Sequence, residues 1–235
     1  MSIDEVERNK KEGKKEEKMQ MKHDHIIILL LCAVSGVIDV LGYIGLSHVF
    51  TANMTGNIVL LGIGIGDARQ VVLSNAALAL VGFVIGIAAT VFIQRKQGTS
   101  GSILTWEFIL ILFSAIIILL LPVNEVLSSI ILLFLSIAMG MQTIAGRNLK
   151  VAGLSSTVLT STLAAFIEGI MGSMQKNAQK LSLDTYLRGG AILLYLIGAA
   201  AGSLSERFMG LNTIWIGVVL LAVVLLLQRK NNRAR

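Results

Sequence analysis

Cysteine, histidine and charge are all scarce in this sequence, and each scarcity closes a class of function. A single cysteine, Cys32, among 235 residues excludes an intramolecular disulfide and any cluster of thiolate metal ligands. Set inside an apolar run, it reads as a small buried apolar side chain. The three histidines, His23, His25 and His48, have no ligand-like spacing to carboxylates apart from the His23-Asp24-His25 run. That run reads as a polar helix flank, so neither a metal nor a cofactor is expected. No serine/histidine, paired-aspartate or H-E-x-x-H constellation occurs, and the chain is not expected to be an enzyme. Only 14% of the residues are charged. The basic residues behind the net charge of +6 lie at the ends and in short loops, never interleaved with aromatics, which argues against a nucleic-acid interface. Gly62, Gly64 and Gly66 lack the preceding strand and the third-glycine spacing of a dinucleotide-binding turn. No A-x-A-like site follows the Ile26 run, and Leu31 is too large for the position before a lipidated cysteine. Neither a secretory signal nor a lipoprotein anchor is expected.

What is abundant is apolar sequence, at 54% of the chain. Runs from Ile26 (extended through Gly45), Val71 to Ile93, Ile103 to Leu121, Val126 to Ala145, Leu187 to Leu204 and Leu211 to Leu227 approach the ~20 residues that cross a bilayer. They predict six transmembrane helices in one membrane domain, 26–228. Residues 1–25 alternate basic and acidic side chains and read as a solvated cytoplasmic tail without fixed structure, and 229–235 as a basic cytoplasmic tail.

Two further segments are apolar yet rich in polar groups. Thr51 to Gly66, opening on TANMTGN, is too short for a comfortable span, and Leu154 to Gly172 opens on six hydroxyl residues and contains Glu168. Irregular backbone survives at membrane depth only when buried in protein or lining a wet cavity, so both are expected to be short, broken or re-entrant. If both enter and leave on one side, most basic loops fall on a single side, and only Arg69 and Arg207 fall opposite. That agrees with the positive-inside bias and places both termini in the cytoplasm of a bacterial inner membrane. The order Gly36, TANMTGN, Gly82-x-x-x-Gly86 returns as Gly140, SSTVLTST, Gly198-x-x-x-Gly202. The expected architecture is therefore an all-α polytopic protein of two pseudo-symmetric, inverted halves, about 26–121 and 126–228.

These motifs carry a resemblance. The run GVIDVLGYIGLSHVFTANMTGNIVLLG, then AMGMQTIAGR and LSSTVLTSTL, resembles the YoaK-like family of bacterial integral membrane proteins, also called DUF1275 or UPF0700. It covers nearly the whole chain from about Ile26. One departure is Thr160-Ser161-Thr162, where the family pattern implies threonine followed by glycine. The resemblance implies a membrane class far more than an activity, since the family is largely uncharacterised.

Within this frame, Asp39 is the costly residue. A carboxylate inside a span must face the bundle, be paired or be protonated, and it reads equally as a proton or cation site and as a polar clamp on another helix. Asn53, Thr55, Gly56 and Asn57, with Thr51, either contact a permeating species or satisfy the backbone of a broken helix. Gln142, Thr157, Thr160 and Glu168 are the second-half candidates for a substrate or ion pathway, with Glu168 also reading as an acid near the interface. Gly82, Gly86, Gly198 and Gly202 read as small-residue faces for close helix packing. Together these point to a secondary transporter or permease for a small solute, proton coupled through Asp39. The alternative is a non-transporting membrane scaffold or accessory protein. Expected partners are the lipid bilayer, a small solute and a second copy in a homo-oligomer, with no nucleic acid.

Overall fold

The computed structural model describes residues 3–97, 100–157, 159–175 and 180–233. The ends of both expected tails, and 176–179 of the polar connection in the second half, lie outside them. Among the described residues every regular element is a helix. Helix α1 (Ile3–Val40) loosens into a π-helical turn (Leu41–Ser47). There follow α2 (Met54–Gly66), α3 (Gln70–Gln97), α4 (Ser100–Leu120), α5 (Glu125–Asn148), α6 (Leu159–Gln175) and α7 (Leu183–Met209). A 3-10 turn (Gly210–Thr213) then leads into α8 (Ile214–Arg233).

Helix α1 begins at Ile3 and so takes in the charged segment expected to be a separate tail. Lys, Glu, Gln and Met are strong helix formers, and with no proline in the segment a helix nucleated in the membrane propagates outward. Local chemistry sets the other boundaries. Asn124 starts α5 by accepting from the Leu127 amide at 2.9 Å, and Ser182 starts α7 by accepting from the Thr185 amide at 3.2 Å.

Five stretches are long and apolar enough to cross a membrane: Gln20–Ser47, Gln70–Arg95, Ser102–Leu120, Glu125–Asn148 and Leu183–Lys230. Met54–Gly66 and Leu159–Met174 are shorter apolar helices. The last long stretch has 48 residues, which at ~1.5 Å each would reach about 72 Å, more than twice the hydrocarbon core. It is broken at Gly210, whose φ of 55° reverses the chain. Helix α7 runs alongside α1 in the same direction, with Gly198 on Ala33 and Gly202 on Val37, whereas α8 runs against it, with Leu211 at Gly45 and Gly217 at Ile38.

The core lies between α1, α4, α5 and α8, where Ile27, Leu31, Ile38, Ile111, Leu135 and Leu221 are fully buried in one cluster. Helix α7 packs on the outside of α1 and α3 on the outside of α5, while α2 lies on α3 and α6 on α7. Bare backbone makes the two tightest crossings possible. A Cβ at Gly36 would overlap the Tyr195 carbonyl oxygen, and one at Gly140 would overlap the Phe83 carbonyl oxygen. The expected packing glycines stand at the same crossings: Gly82 and Gly86 face Leu133 and Ile137 of α5, and Gly198 and Gly202 face Ala33 and Val37 of α1.

Candidate functional site

The π-helical turn ends at His48, whose left-handed φ of 56° turns the chain back on itself. Residues 49–53 then descend beside the helix they have just left and reach Asp39. One carboxylate oxygen, Oδ1, accepts from the Thr51 amide at 2.8 Å, the Thr51 hydroxyl at 3.1 Å and the Ala52 amide at 2.6 Å. The other, Oδ2, accepts from the Tyr195 hydroxyl on α7 at 2.6 Å. Asp39 is 2% exposed, so four donors replace the water that its carboxylate would otherwise hold.

From that depth α2 climbs back out. Asn53 caps it by accepting from the Gly56 amide at 3.4 Å. Asn57 holds both sides of the Phe50 backbone, accepting from its amide at 2.8 Å and donating to its carbonyl at 2.6 Å. Gly56 leaves room for the Phe50 ring, which stacks on Tyr43 at 4.9 Å between centroids. The start of α3 at Val71 lines the same cavity as His48, so the segment leaves and returns at one end of the bundle.

The second short segment is built the same way. After α5 the chain passes through left-handed Lys150, Ala152 and Gly153 and runs back along the helix. Fully buried Gln142 directs its Nε2 toward the Leu31 carbonyl at 3.0 Å, the Ser35 hydroxyl at 2.7 Å and the Ser156 hydroxyl at 2.9 Å. One residue further along both segments, the hydroxyls of Thr143 and Thr157 meet at 2.7 Å. Arg188 of α7 donates to the Ala152 carbonyl at 3.2 Å and the Ala165 carbonyl at 3.4 Å, which ties the descending loop to α6.

The two tips converge. Ser35 and Asp39 are four residues apart on α1, hence on one face and about 6 Å apart along its axis. The first tip ends on Asp39 and the second reaches Ser35 through Gln142 and Ser156. Of the residues singled out in the sequence, Asp39, Asn53, Gly56, Asn57, Gln142 and Thr157 thus serve the two turns. Thr55, Thr160 and Glu168 do not join them and point outward as exposed side chains. Sequence reasoning missed Tyr195, Ser35 and Arg188, whose roles exist only because α7 and α5 meet α1 and the loops. A cavity of about 630 Å³ opens at the His48 end, lined by Ser47, His48, Ser74, Asn75, Asn124 and Glu125 among others, and its lining includes neither Asp39 nor Thr55.

A family described as "Protein of unknown function (DUF1275)" matches residues 27–227. The chain is 41% identical over 206 residues to "UPF0700 transmembrane protein YoaK" of Bacillus subtilis (strain 168), an alignment covering 83% of this chain and 89% of that protein. No solved structure matches.

Proposed function

Since the chain belongs to the DUF1275 family of integral membrane proteins, whose description carries no activity, we propose from geometry that it is a secondary transporter or permease for a small solute. The carrying observation is the convergence of the tips of the two short segments on one turn of α1, Ser35 to Asp39. Broken segments that meet in the interior of a membrane protein are the usual way to offer backbone and polar groups to a solute at mid-depth.

The proposal includes two inverted halves and six full crossings, with the stretch from α7 to α8 counted as two. Exchanging α1 with α5, α2 with α6, α3 with α7 and α4 with α8 maps the helix pairings onto one another: α1 on α7 becomes α5 on α3, and α1 on α8 becomes α5 on α4. Helices α1 and α5 run in opposite directions, since Gly146 faces Ile28 while Ser128 meets Ser47. With six crossings Arg95, Arg147, Lys150, Lys180, Arg229 and Lys230 gather at the end where α1 enters, and Arg69 and Arg207 stand opposite. This supports a bacterial inner membrane with cytoplasmic termini. Exposed Val81, Leu119, Leu196 and Val219 are assigned to lipid, or in part to a second copy, and no catalytic chemistry is assigned.

One observation favours a scaffold instead: both Asp39 oxygens are taken up by the chain's own donors. Thermal unfolding of the purified protein against a panel of small solutes separates the readings. Transport predicts a solute that stabilises the parent and loses its effect in Ser35→Ala and Asp39→Asn. Unchanged unfolding across the panel, together with intact solute uptake in cells lacking the protein, removes the transport reading.

A further inference from the structure

Helix α4 carries an acid that neither tip uses. Glu107 lies five residues inside the stretch Ser102–Leu120, about 8 Å along the axis from its nearer end at ~1.5 Å per residue. It shares the inward stripe of α4 with Ile103, Leu104 and Ile111, and like them it is fully enclosed, at 0% exposure. Neither carboxyl oxygen has a hydrogen-bond partner.

The contrast with Asp39 is chemical. Asp39 meets four donors, whereas Glu107 meets none. Helices α3, α5 and α8 and the 3-10 turn pack against α4. The titratable side chains described on them, Arg95, Glu125, Arg147, Arg229 and Lys230, are exposed and near helix ends, and the 3-10 turn has none. Among the described residues Glu107 forms no ion pair. A buried carboxylate with no counter-charge is strongly disfavoured against its neutral acid form. A hard metal cation would need about six oxygen ligands, and no group of three or more His, Cys, Asp or Glu that could hold one is found among the described residues.

We propose that Glu107 is a proton-binding site of the membrane domain, holding a proton while α4 is enclosed by α5 and α8 and releasing it to water when that packing opens. As the coupling site of the transporter it rests on the reading above, but proton binding itself does not. The acid–base step is complete in itself: the O–H bond breaks, the electron pair stays on the carboxylate and the proton passes to water.

The test is labelling with dicyclohexylcarbodiimide of the full chain in liposomes. This apolar reagent adds to protonated carboxyls: the acid proton goes to a carbodiimide nitrogen, the carboxyl oxygen bonds to the central carbon, and rearrangement leaves a stable N-acylurea. Mass spectrometry is expected to place the label on Glu107 and not on exposed Glu125 or Glu168. The rate is expected to fall at least about tenfold from acid to alkaline pH as the proton is released. Glu107→Gln is expected to lose the label and the carboxylic-acid C=O infrared band while keeping the parent's elution on size exclusion. No label at Glu107 in the parent protein overturns the proposal whatever the variant does. So does a rate that does not change with pH, which would mean a permanently neutral acid, or protection by sodium at constant pH, which would mean a cation site. None of these readings needs a solute, so a failed solute screen and a failed proton site are distinguishable.

Discussion

The Tyr195 hydroxyl donates to Asp39 Oδ2 at 2.6 Å, across 156 positions of sequence and between two helices that run in the same direction. Together with the three donors of the descending loop, it makes Asp39 a junction of α1, α7 and the first tip. A buried hydrogen bond to a charged group contributes about 1.5–3 kcal/mol, and a donor left unpartnered costs about 1–3 kcal/mol.

Substitutions at this junction should therefore rank. Tyr195→Phe removes one donor and is expected to lower the thermal midpoint moderately. Asp39→Ala strands the Thr51 and Ala52 amides at depth and is expected to cost more. Asp39→Asn is expected to fall nearer the parent, because its carbonyl oxygen can still accept from the loop and its amide can donate to the Tyr195 oxygen. Equal losses for Asp39→Ala and Asp39→Asn, measured by unfolding in detergent, would show that charge rather than the loop contact matters.

At the second tip, Gln142→Ala is expected to reduce stability by about 1–3 kcal/mol through the Leu31, Ser35 and Ser156 groups it leaves. Thr160→Ala, at an exposed position of the same segment, is expected to be close to neutral. Unfolding midpoints of the two variants, measured side by side, check the contrast, and an equal response would remove Gln142 from the junction.

Glycine replacements separate packing from helix propensity. Gly140→Ala places a methyl group onto the Phe83 carbonyl and is expected to lower the yield of folded protein, because the neighbour is backbone and cannot swing away. Gly62→Ala meets nothing within 4 Å and is expected to stabilise α2 by about 0.5–1 kcal/mol. Expression level and thermal midpoint read both.

Topology is tested by single cysteines at Asp67 and Asp184 in a Cys32→Ala background, labelled from outside intact cells with a membrane-impermeant maleimide. Six crossings place the turn between α2 and α3 and the start of α7 on opposite sides. Labelling of both positions, or of Asp184 alone, would contradict the proposed arrangement.

The membrane class, the long helices and the two odd segments were legible in the sequence, because partition into a bilayer depends on local composition and length. TANMTGN shows the limit of such reading. Its polar content requires a broken segment, yet its threonines look alike in sequence while Thr51 lies under Asp39 and Thr55 faces outward. Glu107 escaped notice for a related reason: one acid in a long apolar run does not alter the span, and whether it faces lipid, a partner or nothing depends on its neighbours.

Sequence by itself thus determined that this chain enters a membrane, where its apolar helices form and where they must break, since each follows from the cost of exposing backbone and charge to hydrocarbon. Only the tertiary structure decided which polar groups meet. Glycine notches at Gly36 and Gly140 let α7 and α3 approach α1 and α5 to backbone contact. That approach brings Tyr195 onto Asp39, a pairing no local rule specifies because its two halves lie on different helices.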